Sequence, residues 1–414
     1  MVEHIESPVE ISLLKALNPF SPGAGRQPAT LVGREHELEL MDLLLARTKA
    51  KRTSQGIIYR GLRGVGKTVL LIRLQNMAQK MHMPTVRIEA TGNDTDDYVE
   101  LFKGLAKVSR NVVNTKFRQR ILNIFENVQS MSVNVLGNGM SVMKSTGDMY
   151  GNMPHSNAYQ LELLIEEISQ AAQDSDLGLF VFIDEFQEMS SELMGTLITL
   201  QHRMGQENLP FYIVGVGLPD LPEALTKSRS YAERLFDYRK VGRLSYEDTA
   251  LGFQNTVAKG GRKFNDEALE RLVEDSQGYP YFVQAYGAAA WNQSTISPIP
   301  LEAVERGEAE ARRSLDEGLY ASRWQRATPA GRTYLMAMAS MNDREDEENG
   351  YATGKIAECM NRDPRELSKM RGKLIELGLI YSPERGKVAF TVPGMADFIR
   401  RVKPSAEQIY DKQS

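Results

Sequence analysis

At 414 residues the chain has the length for two or three domains with substantial cores. A formal net charge of −4 excludes a uniformly basic nucleic-acid coat, while leaving room for a local basic face. A single cysteine, Cys359, excludes an intrachain disulfide and a thiolate metal cluster, which suits a reducing cytoplasm. The longest apolar run, near 177–183, is broken by glycine and too short to span a bilayer, so no membrane role is expected. The first residues include Glu3, His4 and Glu6 rather than a charged-then-apolar export signal. The five histidines, at 4, 36, 82, 155 and 202, show no metal-ligand spacing.

Residues 1–30 end in Asn18-Pro19-Phe20-Ser21-Pro22-Gly23 and read as an extended arm. Leu31-Val32-Gly33-Arg34-Glu35 precedes a helix expected over 37–50. Arg34 is either a solvated helix-start charge or a nucleotide contact. Ile57-Ile58-Tyr59 then reads as a buried strand, followed by Gly61-Leu62-Arg63-Gly64-Val65-Gly66-Lys67-Thr68 and an apolar periodic stretch over 69–77. Strand, glycine loop and helix start are the parts of a phosphate cradle. Glycines allow the backbone N–H groups to turn inward around phosphate oxygens, and the helix start adds unpaired donors. Lys67 would reach the β- and γ-phosphates, and the Thr68 hydroxyl would hold Mg²⁺. Gly61, Gly64, Val65, Gly66, Lys67, Thr68 and Val69 are therefore the candidate ATP-binding residues of the loop.

Thr85-Val86-Arg87-Ile88-Glu89 reads as a second strand, and 98–127 as helical, with Leu101, Leu105 and Val108 on one stripe and Ile121, Ile124 and Phe125 on another. Residues 132–143 alternate around Gly137-Asn138-Gly139 and read as a hairpin inserted near 130–156, with a polar loop over 144–156. A helix is expected over 161–172. Leu179-Phe180-Val181-Phe182-Ile183 then reads as a strand buried on both faces, ending in Asp184-Glu185. Those carboxylates fall at the carboxyl edge of a parallel sheet, where ligands bind. Asp184 would hold Mg²⁺, and Glu185 would orient and polarise the attacking water. Phe211-Tyr212-Ile213-Val214-Gly215-Val216-Gly217 reads as the next strand, 218–227 as a helix, and Tyr238-Arg239-Lys240-Val241 as the last strand of a parallel α/β layer.

Ser245-Tyr246-Glu247-Asp248 carries a capping signal, and the chain reads as all helix to about 315, with starts at Asn265 and at Gly278-Tyr279-Pro280. An all-helical module after such a layer is the usual place for a lid. Thr328-Pro329 opens the last region, with helices expected over 330–341, 351–360 and 364–377. The acidic loop 343–348 reads as a solvated linker. Asp363 is expected to cap the third helix, with Pro364 at its first position. A hairpin, 379–381 and 388–392, flanks the basic tip Glu384-Arg385-Gly386-Lys387 before a short helix to Arg401. That order is the order of a winged helix-turn-helix. The expected domains are an arm, 1–30; an α/β nucleotide-binding domain, 31–244; a helical lid, 245–327; and a winged-helix domain, 328–414.

With these residues in place the chain resembles the AAA+ P-loop ATPases, in the bacterial and archaeal branch related to origin-recognition initiators and STAND switch ATPases. The resemblance rests on Val32-Gly33-Arg34-Glu35, the glycine loop, Phe182-Ile183-Asp184-Glu185, Tyr231-Ala232-Glu233-Arg234-Leu235-Phe236, Gly278-Tyr279-Pro280 and the C-terminal region. It implies ATP and Mg²⁺ as cofactors and places Arg34 and Pro280 near the nucleotide. It also implies that Arg234, ahead of Arg229, can offer an arginine to the phosphates; a helix-end salt bridge is the equal alternative. Two departures are visible. The position after the fourth strand reads Gly215-Val216-Gly217, where many AAA+ proteins place a polar γ-phosphate sensor. The lid has Gly278-Tyr279-Pro280-Tyr281 where others place an arginine. Both point to a slow switch, with ATP-dependent self-association as a candidate output.

Residues 351–403 hold eleven Lys/Arg against six Asp/Glu, a local excess of +5. Leu367, Met370 and Leu374 fall on one helical face, and Arg365, Ser368, Lys369 and Lys373 mostly on the other. A recognition helix enters the major groove, and Arg385 and Lys387 at the hairpin tip would touch phosphates. The two readings are a DNA-binding ATP switch and a STAND-like signalling or scaffold ATPase whose winged helix touches only protein. A small-molecule P-loop kinase would need an acceptor pocket and an arginine-rich lid, and neither is visible in the sequence.

Overall fold

Leu179 to Asp184 forms a strand with every residue buried, and Phe211–Gly217 forms another of the same kind. Strands buried throughout need a sheet covered on both faces. In the computed structural model both belong to a five-stranded sheet built from β1 (Gly56–Arg60), β2 (Thr85–Glu89), β3 (Leu179–Asp184), β4 (Phe211–Gly217) and β5 (Phe236–Lys240). The strand order is β2-β3-β4-β1-β5, and every pair is parallel. The structure describes residues 12–13, 15–23, 25–110, 119–121, 123–124, 156–341 and 350–410. The expected hairpin and loop at 132–155, part of the expected helix after 110, and the acidic linker 343–348 lie outside the described residues.

The chain divides into two compact units. One comprises Glu35–Arg60 and Leu70–Lys240; the other comprises Met1–Arg34, Gly61–Val69 and Val241–Ser414. The glycine loop thus groups with the C-terminal half.

In the first unit the sheet is flanked by helices Glu35–Lys49, Asp94–Ser109, Asn157–Gln173 and Ser191–Gln206. Asn93, Ser156 and Ser190 cap three of these by accepting backbone N–H groups two or three residues on. The core joins Ile58, Ile88, Phe102, Leu164, Ile183, Phe186, Leu197 and Ile213. β5 begins two residues earlier than the sequence suggests, because Phe236 pairs with Gly56 and is drawn into the sheet.

In the second unit, Ser245 caps Tyr246–Lys259 and Asn265 caps Asp266–Ser276, as expected. Pro280–Asn292 follows with Pro280 at its first turn, and then Leu301–Leu315. The arm is anchored rather than merely extended. Phe20 is buried with Phe253, Phe264 and Trp291, and a Cβ on Gly287 would lie 2.3 Å from its ring. The Asn18 side-chain amide donates to the Ala288 carbonyl and to Asn292.

The last region has helices Pro329–Ser340, Thr353–Cys359, Ser368–Glu376 and Met395–Tyr410 around an antiparallel sheet of order β6-β8-β7, with β6 Tyr351–Ala352, β7 Ile380–Tyr381 and β8 Lys387–Phe390. Two expectations are corrected. Tyr351 and Ala352 form a strand, because Tyr351 pairs with Val388, so the helix expected over 351–360 starts at Thr353. The helix expected from Pro364 starts at Ser368. The Asp363 carboxylate accepts the N–H of Arg365 at 2.8 Å, and i→i+3 backbone bonds join Glu366 to Asp363 and Ser368 to Arg365. That local bonding holds 364–367 in turns and delays the helix.

Candidate functional site

The glycine loop leaves β1 at Arg60 and runs into the helix Lys67–Lys80. Gly64 and Gly66 have φ of +83° and +88°, in the region that side chains other than glycine rarely adopt. A Cβ at Gly61 would sit 2.2 Å from the Val241 carbonyl oxygen, so this position also admits no side chain. Val65 is buried, and its carbonyl accepts a bond from Arg34 at 3.1 Å. The same guanidinium donates to the Gly33 carbonyl at 3.0 Å and the Gly242 carbonyl at 2.7 Å. Arg34 is 7 % exposed. Its planar fork of donors suits three carbonyls from three chain segments.

The Lys67 ammonium is equally buried and donates to the carbonyls of Gly61 and Leu62, both at 2.9 Å. The loop thus curls around its own lysine. Pro280 packs beside Gly66, and the Tyr281 N–H donates to the Gly64 carbonyl at 3.2 Å. The Arg63 N–H donates to the Thr391 carbonyl at 2.9 Å, just after β8. Thr391 is fully buried, its hydroxyl tied to the carbonyls of Gly378 and Leu379. Arg34, Gly61, Gly64, Val65, Gly66, Lys67 and Pro280 are therefore brought together, with Thr68 and Val69 half-buried at the helix start. The positive-φ glycines, the helix start and the buried ammonium fit a bound triphosphate in chemistry.

In the sheet unit, Asp184 ends β3 and is 8 % exposed. Its carboxylate accepts the Glu185 N–H at 2.9 Å. Glu185 has φ +45° and ψ +42°, an uncommon conformation for glutamate that turns the chain sharply into the short 3-10 turn Phe186–Glu188. The Gln187 amide donates to the Glu185 carboxylate at 2.6 Å and accepts the Leu218 N–H at 2.9 Å. The sequence reading missed Gln187. The available signal was a polar residue three places after Asp184, and glycines at both 215 and 217 in an otherwise apolar strand. Among the described residues no cluster of three or more His, Cys, Asp or Glu side chains forms a protein-only metal cage.

Arg234 lies in the short helix Ala232–Leu235, just ahead of β5. Its carbonyl accepts the Gln55 side-chain amide at 2.7 Å, beside the start of β1. Asp184 and Glu185 stand at the other, carboxyl edge of the same parallel sheet, so the structure does not bring Arg234 to them. Arg229 lies over the helix Ser191–Gln206, bonded to the Thr199 hydroxyl at 3.1 Å.

In the C-terminal region Leu367 and Leu374 are buried and Met370 packs on the same core. Arg365, Ser368, Lys369, Lys373 and Arg385 are exposed, and Lys387 is half-buried. Lys373 pairs with Glu376 at 3.0 Å and Lys387 with Glu384 at 2.5 Å. Among the described residues Arg365, Lys369 and Arg385 form no ion pair. No helix among them is long and apolar enough to cross a membrane.

Residues 30–214 match the AAA ATPase domain family, and residues 317–399 match a domain of unknown function, DUF8462. No curated protein matches the chain. Among solved structures the chain is similar to the Walker-type ATPase PABY2304 of Pyrococcus abyssi, at 14% identity and a TM-score of 0.56, covering 93% of this chain and 99% of that one. The Aeropyrum pernix ORC1 protein in complex with DNA matches at 15% identity and a TM-score of 0.44, over 92% and 95% of the two chains. Cdc6p of Pyrobaculum aerophilum matches at 14% and 0.43, over 92% and 97%. Residues 30–214 thus match the AAA ATPase domain family, in a chain whose fold is similar to that of a Walker-type ATPase.

Proposed function

We propose that the protein is a cytoplasmic, ATP-driven molecular switch that hydrolyses ATP slowly and binds DNA through a C-terminal winged helix. The observation that carries the nucleotide reading is the loop itself. Gly64 and Gly66 adopt positive φ around a buried Lys67, and Arg34 ties the loop to two other segments. On binding, the Lys67 ammonium would exchange loop carbonyls for phosphate oxygens. Thr68 and Asp184 would hold Mg²⁺, which when bound offsets the charge on the β- and γ-phosphates. Glu185 orients a water whose oxygen attacks the γ-phosphorus as the bond to the bridging oxygen breaks and ADP leaves. Val65, Val69 and Pro280 line the nucleotide's seat. Arg234 stands at the opposite sheet edge from Glu185, so its assigned role is toward nucleotide held by another copy, in an ATP-dependent homo-oligomer.

DNA binding is supported by the excess of basic residues over 351–403 and by exposed Arg365, Ser368, Lys369, Lys373 and Arg385, with Lys387 at the hairpin tip. A second reading has its own observation. The Arg63–Thr391 bond ties the glycine loop to the C-terminal sheet, which suits a STAND-like switch whose last domain touches only protein. Two measurements test the set. Glu185→Gln is expected to keep ATP binding and lose hydrolysis; unchanged turnover refutes the role of Glu185. DNA affinity is expected to fall steeply with salt and to weaken in the Lys369→Ala/Arg385→Ala protein. No binding at low salt, with or without ATP, removes the DNA reading and leaves the protein-contact one.

A further inference from the structure

The acidic end of β3 is held by a device that the Asp184-Glu185 pair does not itself supply. We infer that Gln187 is the positioning residue for Glu185, a polar side chain supplied from the β3 turn where the end of β4 reads Gly215-Val216-Gly217. The inference rests on the hydrolytic role proposed for Glu185.

The Gln187 side chain is a bridge with its two ends defined. Nε2 donates to Glu185 Oε2 at 2.6 Å and, more weakly, to Glu188 Oε1 at 3.3 Å; Oε1 accepts the Leu218 N–H at 2.9 Å. The network fixes the amide orientation. Reversed, it would set a carbonyl oxygen against two carboxylates and an NH₂ against an N–H. The bond to Glu185 is of the charge-assisted kind, about twice as strong as a neutral pair.

The space for this bridge is made by the two glycines of β4. A Cβ at Gly217 would lie 2.3 Å from Gln187 Oε1, and a Cβ at Gly215 would lie 2.7 Å from the Phe186 ring. Phe186, fully buried, anchors the turn from below. Any side chain at 217 therefore displaces the amide. The absence of a polar residue on β4 and the presence of Gln187 are two sides of one arrangement. Glu185 also sits at a strained backbone conformation, φ +45°, which persists only where neighbours hold it. Phe186 below and Gln187 alongside do so. A carboxylate fixed in its plane can orient water; one free to rotate loses that orientation in the transition state.

The test uses the purified full chain and follows kcat, KM for ATP, equilibrium ATP affinity and melting temperature. Gln187→Ala is expected to lower kcat by about 10- to 100-fold, the usual cost of losing orientation at a reacting centre, with KM and ATP affinity little changed. Gln187→Glu retains an acceptor for the Leu218 N–H but sets a second carboxylate against Glu185. It is expected to melt like wild type and still lose kcat. Gly217→Ala, which evicts the amide, is expected to reproduce the Gln187→Ala kinetics. An unchanged kcat in Gln187→Ala or Gln187→Glu overturns the inference. So does a parallel loss of ATP affinity and melting temperature in Gln187→Ala, which would mark a merely structural amide. Glu185→Gln run alongside separates the two claims. If Glu185→Gln turns over normally, the hydrolytic reading falls and takes this one with it. If Glu185→Gln is inactive while Gln187→Ala is fully active, only the role of Gln187 falls.

Discussion

The glycine loop and the acidic end of β3 solve the same problem in opposite ways. Each holds a charged side chain in a fixed place. Lys67 is held by carbonyls five and six residues back, inside its own loop. Glu185 is held through Gln187 by the Leu218 N–H just past β4, 31 residues further along from Gln187. A cation can be satisfied by local backbone carbonyls, because a turning loop presents several of them inward. The Glu185 carboxylate takes its bond from the Gln187 side chain, and that amide is fixed in turn by the Leu218 N–H. The first device is therefore carried whole by a short motif, and the second exists only once two strands lie side by side.

Breaking the local device has the largest expected effect. Lys67→Ala removes the buried ammonium, and ATP binding is expected to weaken by about 100-fold or more, measured by calorimetry. Near-normal affinity would mean that the loop's backbone alone suffices. Arg34→Ala probes how far the loop depends on outside support. It leaves the Val65 and Gly242 carbonyls without the guanidinium, an expected cost of about 1–3 kcal/mol in stability. Thermal melting should fall, and ATP should restore part of the loss by binding the folded form. Arg34→Lys should recover little, because one ammonium cannot match a planar fork serving three carbonyls.

The smallest effect sharpens the acidic side. Burial raises the Asp220 carboxyl above its ordinary 3.8, and Glu223 and Glu188 push in the same direction. A carboxyl harder to ionise in the folded chain than in the unfolded one costs stability once pH rises above its unfolded value. The penalty vanishes as pH falls below that value. Asp220→Asn is therefore expected to melt slightly higher than wild type at pH 7, with the gain shrinking toward pH 3. A constant difference across that range would assign the effect to packing instead of charge.

Much of the architecture was legible because its signals are local. The strand at 85–89 was readable from alternation and that at 211–217 from a continuous apolar run, and the caps at Ser245 and Asn265 from side chains that bond three residues on. The errors lie where a remote partner outweighed the local pattern. Tyr351 reads as a helix residue until Val388 pairs with it, and the last strand reads as starting at Tyr238 until Gly56 pairs with Phe236. The delayed helix at Ser368 differs, since Asp363 was identified as a cap but closes a turn rather than a helix.

The site divides along the same line. The sequence by itself named the residues proposed to bind phosphate and to polarise water, because glycine dihedrals, an ammonium and a pair of strand-end carboxylates carry their chemistry with them. Only the tertiary structure decided how those groups are held. It gave Arg34 to three backbone carbonyls, set Arg234 at the far edge of the sheet from Glu185, and opened two glycines on β4 to Phe186 and Gln187. Orientation depends on contacts between segments distant in the chain, and no residue type encodes its distant neighbours.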